Sequence, residues 1–528
     1  MDEIFEILSL LKGLKKPLSL NEISDSLPHL SLDKRSLQRY LKKLTDSHRL
    51  RKTGAASRTI YWRKDVREAY AKNYRVLFVH RKEQVAGYLF FNAGGFVFCY
   101  SDAYLIDRGL PLPGLPLSVA PYTFQTLPAI FDENLPEGIN RGLLERQLKS
   151  GDDFDLLPHL EHNIGDIYFT LNGRSKVAPR QPHPSFLAYE DEILGKNDFP
   201  SVLDGHAISL QENEIFPETA DLESAAPLDI SGISGFQYKM LLSYDRAQKR
   251  FHREGDHVRD YIFKPYSPVK ADPDSEYYLP HLALNEHLFM TFAKNELGFR
   301  VPESHLIRRH GDREFHYLVK RFDRLGAYRF AKANFSTFLG LRAENKYETT
   351  SEKMFKRIAK ELIHPNERMI LLRFYFYSML ISHEDMHTKN LSLLYDKGIV
   401  VMAPLYDIAC TGIYGNMRGY DTHLTINGRR TNIRPKDFRP LVEILDVPYK
   451  DFLHEARTIA RVYAERMPDY IEKVRQLGPL DHYRIRQVKK AGFATRWKKG
   501  ERQEFADVLE SFWKKRVAWL EDHGWLSQ

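Results

Sequence analysis

The stretch Ser382-His-Glu-Asp385-Met-His387-Thr-Lys-Asn390, followed by Leu391 to Asp407, constrains this chain more than any other. It holds a carboxylate, a carboxamide five residues later, and a second carboxylate after a short apolar hairpin. Phosphoryl transfer needs a base at the attacking hydroxyl and oxygen ligands holding magnesium on the ATP phosphates, with little covalent work left for the protein. Asp385 is placed to be the base, and Asn390 and Asp407 to be the metal ligands. The apolar runs 391–395 and 399–402 are separated by Asp396-Lys397-Gly398, a turn with glycine where a positive φ falls. Such a hairpin returns Asp407 to the side of Asn390. The Asp385 and Asn390 pair alone also fits a polar loop after a helix; the hairpin and the second carboxylate favour the site.

Upstream segments offer this site a nucleotide. Ser231-Gly-Ile-Ser234-Gly235-Phe-Gln237-Tyr-Lys239 is a glycine-containing turn opening a strand, which suits backbone amides laid over phosphates. The strand Asp260 to Pro265 carries Lys264, whose ammonium can reach the α and β phosphates or simply face solvent. A helix from about Leu282 to Asn295 carries Glu286 near its start, placed to orient that lysine. Tyr317 to Asp323 reads as a connector that grips adenine. Helices are expected at 350–363, 366–381, 450–474, 482–492 and 501–522.

The N-terminal segment has a different chemistry. Of the net charge of +8, residues 1–72 supply most, with sixteen Lys and Arg against nine Asp and Glu. That asymmetry points to an anionic partner, most simply DNA. Apolar positions at helical period predict a helix over 2–13, a second over 19–27 with Ser19 as its cap, and a third from Asp33. In the third, Leu37, Leu41 and Leu44 face inward, while Lys34, Arg35, Gln38, Arg39 and Lys42 face out. Residues 50–62 alternate like two strands around a glycine turn. Three helices and a basic hairpin make a winged helix-turn-helix, with the third helix in a major groove and Lys52 and Arg58 on phosphates. A merely solvated basic face is the bland alternative.

Residues 74–175 read as strands at 74–80, 85–90 and 94–100 and then a loop and a helix, with no chemistry of their own. Residues 176–228, rich in Pro, Ser, Asp and Glu, read as a linker or inserted loop. The two cysteines, Cys99 and Cys410, are too few for a disulfide framework or zinc site and are expected to be buried in a reducing cytoplasm. The start of the chain lacks the basic region of a signal peptide. Met369 to Ile381 is too short to span a bilayer, so no membrane is expected.

Taken together, the motifs resemble the HipA family of serine/threonine kinases, the toxins of type II toxin–antitoxin pairs. The blocks are Phe131-Asp-x-Asn-Leu-Pro-Glu-Gly138, Asn163-Ile-Gly-Asp166, Gly235-Phe-Gln-x-Lys239, Phe263-Lys-Pro265, Asn285-Glu286, Val301-Pro302, Arg321-Phe-Asp-Arg324, Lys346-Tyr-Glu348, Asp385-x-His-x-Lys-Asn390 and Ala403-Pro-x-Tyr-Asp407. They run from about residue 78 to residue 475.

The resemblance implies an α+β fold. It comprises a winged helix at 1–72, a β-rich N-terminal subdomain at 73–175, the linker or inserted loop at 176–228, a kinase N-lobe with a glycine-rich loop at 229–325 and a helical C-lobe at 326–528. It implies ATP and Mg2+ as cofactors, with Asp385 as base, Asn390 and Asp407 as metal ligands, and Lys264, Glu286, Phe322, His387, Gly235, Gln237 and Lys239 around the nucleotide. It further implies a protein substrate such as an aminoacyl-tRNA synthetase, an antitoxin partner, and autophosphorylation of a loop serine. Gly232 stands where family members often carry that serine, leaving Ser234, with Ser231 further out. Lys320 stands where the adenine-side connector often has Glu. Two functions are consistent with this reading: a toxin-like kinase with a fused DNA-binding domain, and a DNA-binding regulator whose kinase fold only senses nucleotide. The intact Asp385, Asn390 and Asp407 favour the first.

Overall fold

The computed structural model describes residues 2–13, 16–160, 163–177, 183–195, 203, 238–245, 250–252, 259–275, 277–308, 311–415, 417–489 and 495–526. Ser231, Ser234, Gly235 and Gln237 lie outside them. The first unit contains helices α1 (Asp2–Lys12), α2 (Leu20–Ser26) and α3 (Lys34–Asp46), with short strands β1 (Leu18–Ser19), β2 (Leu50–Thr53) and β3 (Ile60–Arg63) in the order β1-β3-β2. Ser19 caps α2 as expected: its Oγ accepts from the Glu22 N–H, and the Glu22 carboxylate accepts from the Ser19 N–H at 2.7 Å. Asp33 caps α3 through the Ser36 N–H at 2.6 Å. Ile4, Phe5, Ile7, Leu8 and Leu11 of α1 and Leu37, Leu41 and Leu44 of α3 are all buried, so a single apolar stripe per helix builds this core. The turn after β2 uses Gly54 at φ +84°, where a Cβ would strike the Arg58 carbonyl.

A five-stranded antiparallel sheet follows. Strands β4 (Arg75–Arg81), β5 (Gln84–Asn92), β6 (Gly95–Tyr100), β7 (Tyr122–Phe124) and β8 (Ile167–Thr170) pair in the order β7-β6-β5-β4-β8, and α4 (Gly138–Leu148) comes between β7 and β8. Arg49, wholly buried immediately before β2, ties the first unit to this sheet. Its Nε donates to the Val119 carbonyl and one Nη to the Tyr100 carbonyl, both at 2.9 Å, and the other Nη pairs with the buried Asp102. Each guanidinium nitrogen therefore has a partner outside its own unit.

The second five-stranded sheet contains β9 (Met240–Asp245), β10 (Arg250–His252), β11 (Tyr261–Lys264), β12 (Ser304–Ile307) and β13 (His316–Lys320), ordered β10-β9-β11-β13-β12, with α5 (Leu282–Asn295) between β11 and β12 in sequence. Beyond it, β14 (Ala331–Asn334), β15 (Ser392–Asp396) and β16 (Ile399–Met402) form a small sheet, with α6 (Pro365–Leu380) between β14 and β15 in sequence. Residues 374–380 of α6 are all buried, which marks it as a core helix leading to the Asp385 loop. The β15–β16 connection is tighter than expected, since Asp396 pairs with Ile399 and the turn is Lys397-Gly398 alone, both at positive φ. Cys99 and Cys410 are both buried. Among the described residues no helix is long and apolar enough to cross a membrane.

Two expectations are corrected. Over the described part of the helix expected at 482–492 the chain is a strand instead: β17 (Asp481–Lys489) pairs antiparallel with β18 (Thr495–Glu504), between α7 (Tyr449–Gln476) and α8 (Phe505–Asp522). Arg, Gln and Lys are good helix formers, but intrinsic propensity is a weak guide that cross-strand pairing overrides here. Part of the 176–228 stretch is also not a linker. Residues 183–195 form a packed strap in which Phe186, Ile193 and Leu194 are buried against Phe322, Phe330 and Leu394. The Asp396 carboxylate anchors it, accepting from the Phe186 N–H at 2.9 Å and the Ser185 hydroxyl at 2.8 Å.

Replacing Arg49 with Met leaves Asp102 buried with its principal partner gone. We expect a loss of about 3 kcal/mol in the docking of the first unit, measured as faster proteolytic release of residues 1–72 with the rest of the chain intact.

Candidate active site

A cavity of about 470 Å³ lies where the second sheet meets the Asp385 loop. Lys264 enters it from the end of β11 and Glu286 from the first turns of α5. The Lys264 ammonium contacts both Glu286 oxygens, at 2.8 and 2.9 Å, and Asp407 Oδ1 at 2.7 Å. Asn390 Nδ2 donates to the other Asp407 oxygen at 3.3 Å. Asp385 stands exposed at the mouth, its Oδ1 accepting from the Tyr347 hydroxyl.

The backbone is built to hold this arrangement. Ser382, at φ 51°, turns the chain out of α6, and Asp407 itself adopts φ 57°. His383 Nδ1 lies 2.7 Å from the Ala409 carbonyl, joining the Asp385 loop to the segment after Asp407. Asn285, next to Glu286, clamps the same segment by donating to the Cys410 carbonyl and accepting from its N–H, both at 2.8 Å. The carboxylate that meets Lys264 and the segment bearing Asp407 are thus fixed by adjacent residues of one helix.

Electrostatics follow from this packing. Burial alone would lower the Lys264 ammonium, but Asp407 and Glu286 outweigh it and hold it above the ordinary lysine range. Burial likewise opposes ionisation of Asp407, yet Lys264 and Lys239 keep it well below the usual carboxylate range, even though its side chain is 40% open to the cavity. Lys239, wedged near the same charges, is pushed down to about 8, chiefly by burial. Burial also takes His387 down to about 3, so its ring is neutral.

Lys239, Lys264, Glu286, Phe322, Asp385, His387 and Asp407 line one cavity, with Asn390 bonded to Asp407 from behind. Phe322 and Tyr406, ring centroids 5.4 Å apart, give it an apolar wall together with Ile262 and Val319. The Lys320 ammonium is occupied elsewhere, donating to the Glu192 carbonyl of the strap at 2.8 Å. Lys34, Arg35, Gln38, Arg39, Lys42, Lys52 and Arg58 are all exposed on the first unit.

The sequence reading missed the contribution of the β-rich subdomain. From the Phe131 to Gly138 block, Asp132 pairs with Arg342 at 3.2 Å, and Glu133 accepts from the Asn334 N–H and the Thr337 hydroxyl. Glu137 reaches Lys389 and, at 3.5 Å, Lys346. Asn140 donates to the Lys239 carbonyl at 3.0 Å. Tyr347, quoted within a motif but given no role, stands over His387 and His423 with ring centroids 5.1 and 4.2 Å away. Its phenol is held above its ordinary range by burial and by Asp385, so it remains a donor.

Comparison with known proteins gives a consistent assignment. Residues 231–477 match the HipA-like C-terminal domain, and residues 77–169 match the HipA N-terminal domain. A relative from Haemophilus influenzae, named provisionally as a kinase, is 31% identical over 34% of this chain and 53% of its own length, so this chain spans about half of it. A second, from Sinorhizobium fredii and named in the same way, is 26% identical over 61% of this chain and 74% of its own. The fold matches a Shewanella oneidensis HipA solved with HipB and operator DNA, at TM-score 0.56 and 19% identity, covering 85% of this chain and 97% of that one.

Because burial pushes the Lys239 ammonium down to about 8, its free amine should dominate between pH 8 and 10. Competitive acetylation read by mass spectrometry should show Lys239 approaching its plateau near pH 9, while exposed lysines still climb.

Proposed function

Because this chain belongs to the HipA family, we propose that it is an ATP- and Mg2+-dependent serine/threonine protein kinase of the toxin type. The observation that carries this reading is the Lys264 ammonium bridging Glu286 and Asp407, with Asn390 on the second Asp407 oxygen and Asp385 at the open mouth. The donor set fits the cofactors. A carboxylate oxygen and a neighbouring carboxamide suit a hard divalent ion that keeps several waters and phosphate oxygens. Two lysines suit phosphates, and the wall of Phe322, Ile262 and Val319 suits a flat apolar base.

Magnesium held by Asp407 and Asn390 would neutralise charge on the transferring phosphate. The chain's own residues do the positioning. Glu286 keeps Lys264 extended into the cavity. Asp385 has one oxygen occupied by Tyr347, and the other remains to accept the proton of an incoming serine or threonine hydroxyl. Glu137 balances Lys389 and Lys346 beside it. Pro302 and Val319 help exclude water from the inner wall.

The substrate class that the family suggests is a translation component such as an aminoacyl-tRNA synthetase. The first unit is proposed to be a winged helix that binds DNA, since α3, β2 and the turn between β2 and β3 present Lys34, Arg35, Gln38, Arg39, Lys42, Lys52 and Arg58 exposed, and local charge dominates such affinity. HipB and operator DNA accompany the Shewanella relative, so an antitoxin and an operator are the corresponding partners proposed for this chain.

Asp385→Ala should lower phosphate transfer from ATP to protein by at least ~10²-fold, measured with labelled ATP. Equal incorporation by the two proteins would refute the kinase reading. DNA affinity should fall steeply with salt, and removing Arg39 and Lys42 should weaken it and flatten the salt slope by about 2; a salt-independent signal would remove the winged helix from DNA recognition.

A further inference from the structure

A second cavity, of about 730 Å³, lies between the β-rich subdomain and the helical part of the chain. It adjoins the catalytic cavity, because Lys346 lines both and Glu137, which lines the second, reaches across to Lys389 of the Asp385 loop. Its floor is apolar, made by Phe91, Phe96, Leu127, Leu135 and Pro136.

Its rim is acidic in balance. Asp132, Glu137, Asp152, Asp153 and Glu344 face Arg141, Arg342 and Lys346. The cations are largely consumed within the wall. Arg342 holds Asp132 at 3.2 Å and Asp153 at 2.7 Å, Arg141 holds Glu145 at 2.7 Å and Asp153 at 2.6 Å, and Lys346 faces Glu137. The charge left toward solvent belongs to Glu344, two-thirds exposed and no closer than 3.5 Å to Arg342, and to Asp152, one-third exposed and 3.5 Å from Arg75.

We propose that this cleft docks an extended segment of the protein substrate and selects a lysine or arginine flanking the phosphorylated serine or threonine. The proposal rests on the kinase reading and names the specificity of the same site. A polyanion is disfavoured there, because the rim would repel its phosphates. An extended peptide fits, since its apolar side chains can cover the floor while a flanking cation meets Glu344 and Asp152.

The test uses the full chain, ATP, Mg2+ and a library of serine and threonine peptides in which one flanking position at a time is fixed. Wild type should prefer Lys or Arg over Glu at one flanking position by at least tenfold. Glu344→Lys should reduce that preference at least tenfold. Asp152→Asn, which keeps the oxygen that caps Phe154, should reduce it less. ATP hydrolysis with water as acceptor should be unchanged in both. A wild type without a basic preference, or a preference that both variants leave intact, overturns the docking proposal while the hydrolysis preserves the kinase reading. Absence of both peptide transfer and hydrolysis overturns the two together.

Discussion

The charge cluster of Lys264, Glu286 and Asp407 is the interaction on which the rest of the structure depends. Three ionised groups drawn from a strand, a helix and a loop, two of them buried and the third opening on the cavity, are costly to desolvate and stable only as a set. Each must be delivered within hydrogen-bond range by a different element, so the register of β11, the start of α5 and the exit from β16 cannot vary independently. Asn285 makes this explicit by holding the Cys410 backbone one residue away from Glu286 in sequence.

The β-rich subdomain extends the same logic outward. Asp132 and Glu133, at the end of the short helix Ala129–Asp132, and Glu137 just beyond it meet Arg342, Lys332 and Lys389 on three separate parts of the chain that follows. A subdomain without a catalytic group of its own thereby fixes the cations around the mouth. The strap 183–195 does the corresponding work on the Phe322 side of the cavity, where its Glu192 carbonyl takes the Lys320 ammonium and its Leu194 carbonyl accepts from the Glu303 N–H at 2.7 Å.

Which of these features could be read in the sequence follows from how local they are. Asp385, Asn390 and Asp407 occupy fixed spacings around a hairpin with a strong turn signal, and Lys264 and Glu286 each sit at a recognisable point on a strand or helix. Glu137 and Lys389 are 252 residues apart, and nothing near either marks the other. The strap hid behind a composition typical of loops, because only Phe186, Ile193 and Leu194 carry its packing. The pairing of β17 with β18 hid behind residues that favour a helix, because what makes β17 a strand is its partner further along the chain. The helices of the first unit were legible because their buried leucines repeat at helical period and their caps are Ser19 and Asp33.

Arg49 has a consequence for how such a chain can be assembled from parts. A module joined by a bare linker can be exchanged for another by recombination at the joint. Here the joint is keyed: the receiving subdomain offers a buried carboxylate and two carbonyls shaped to one guanidinium, and an incoming module lacking an arginine at that position would leave the socket empty. Exchanging the first 72 residues alone would therefore leave a buried carboxylate without its guanidinium unless the incoming segment brought an arginine to the same place.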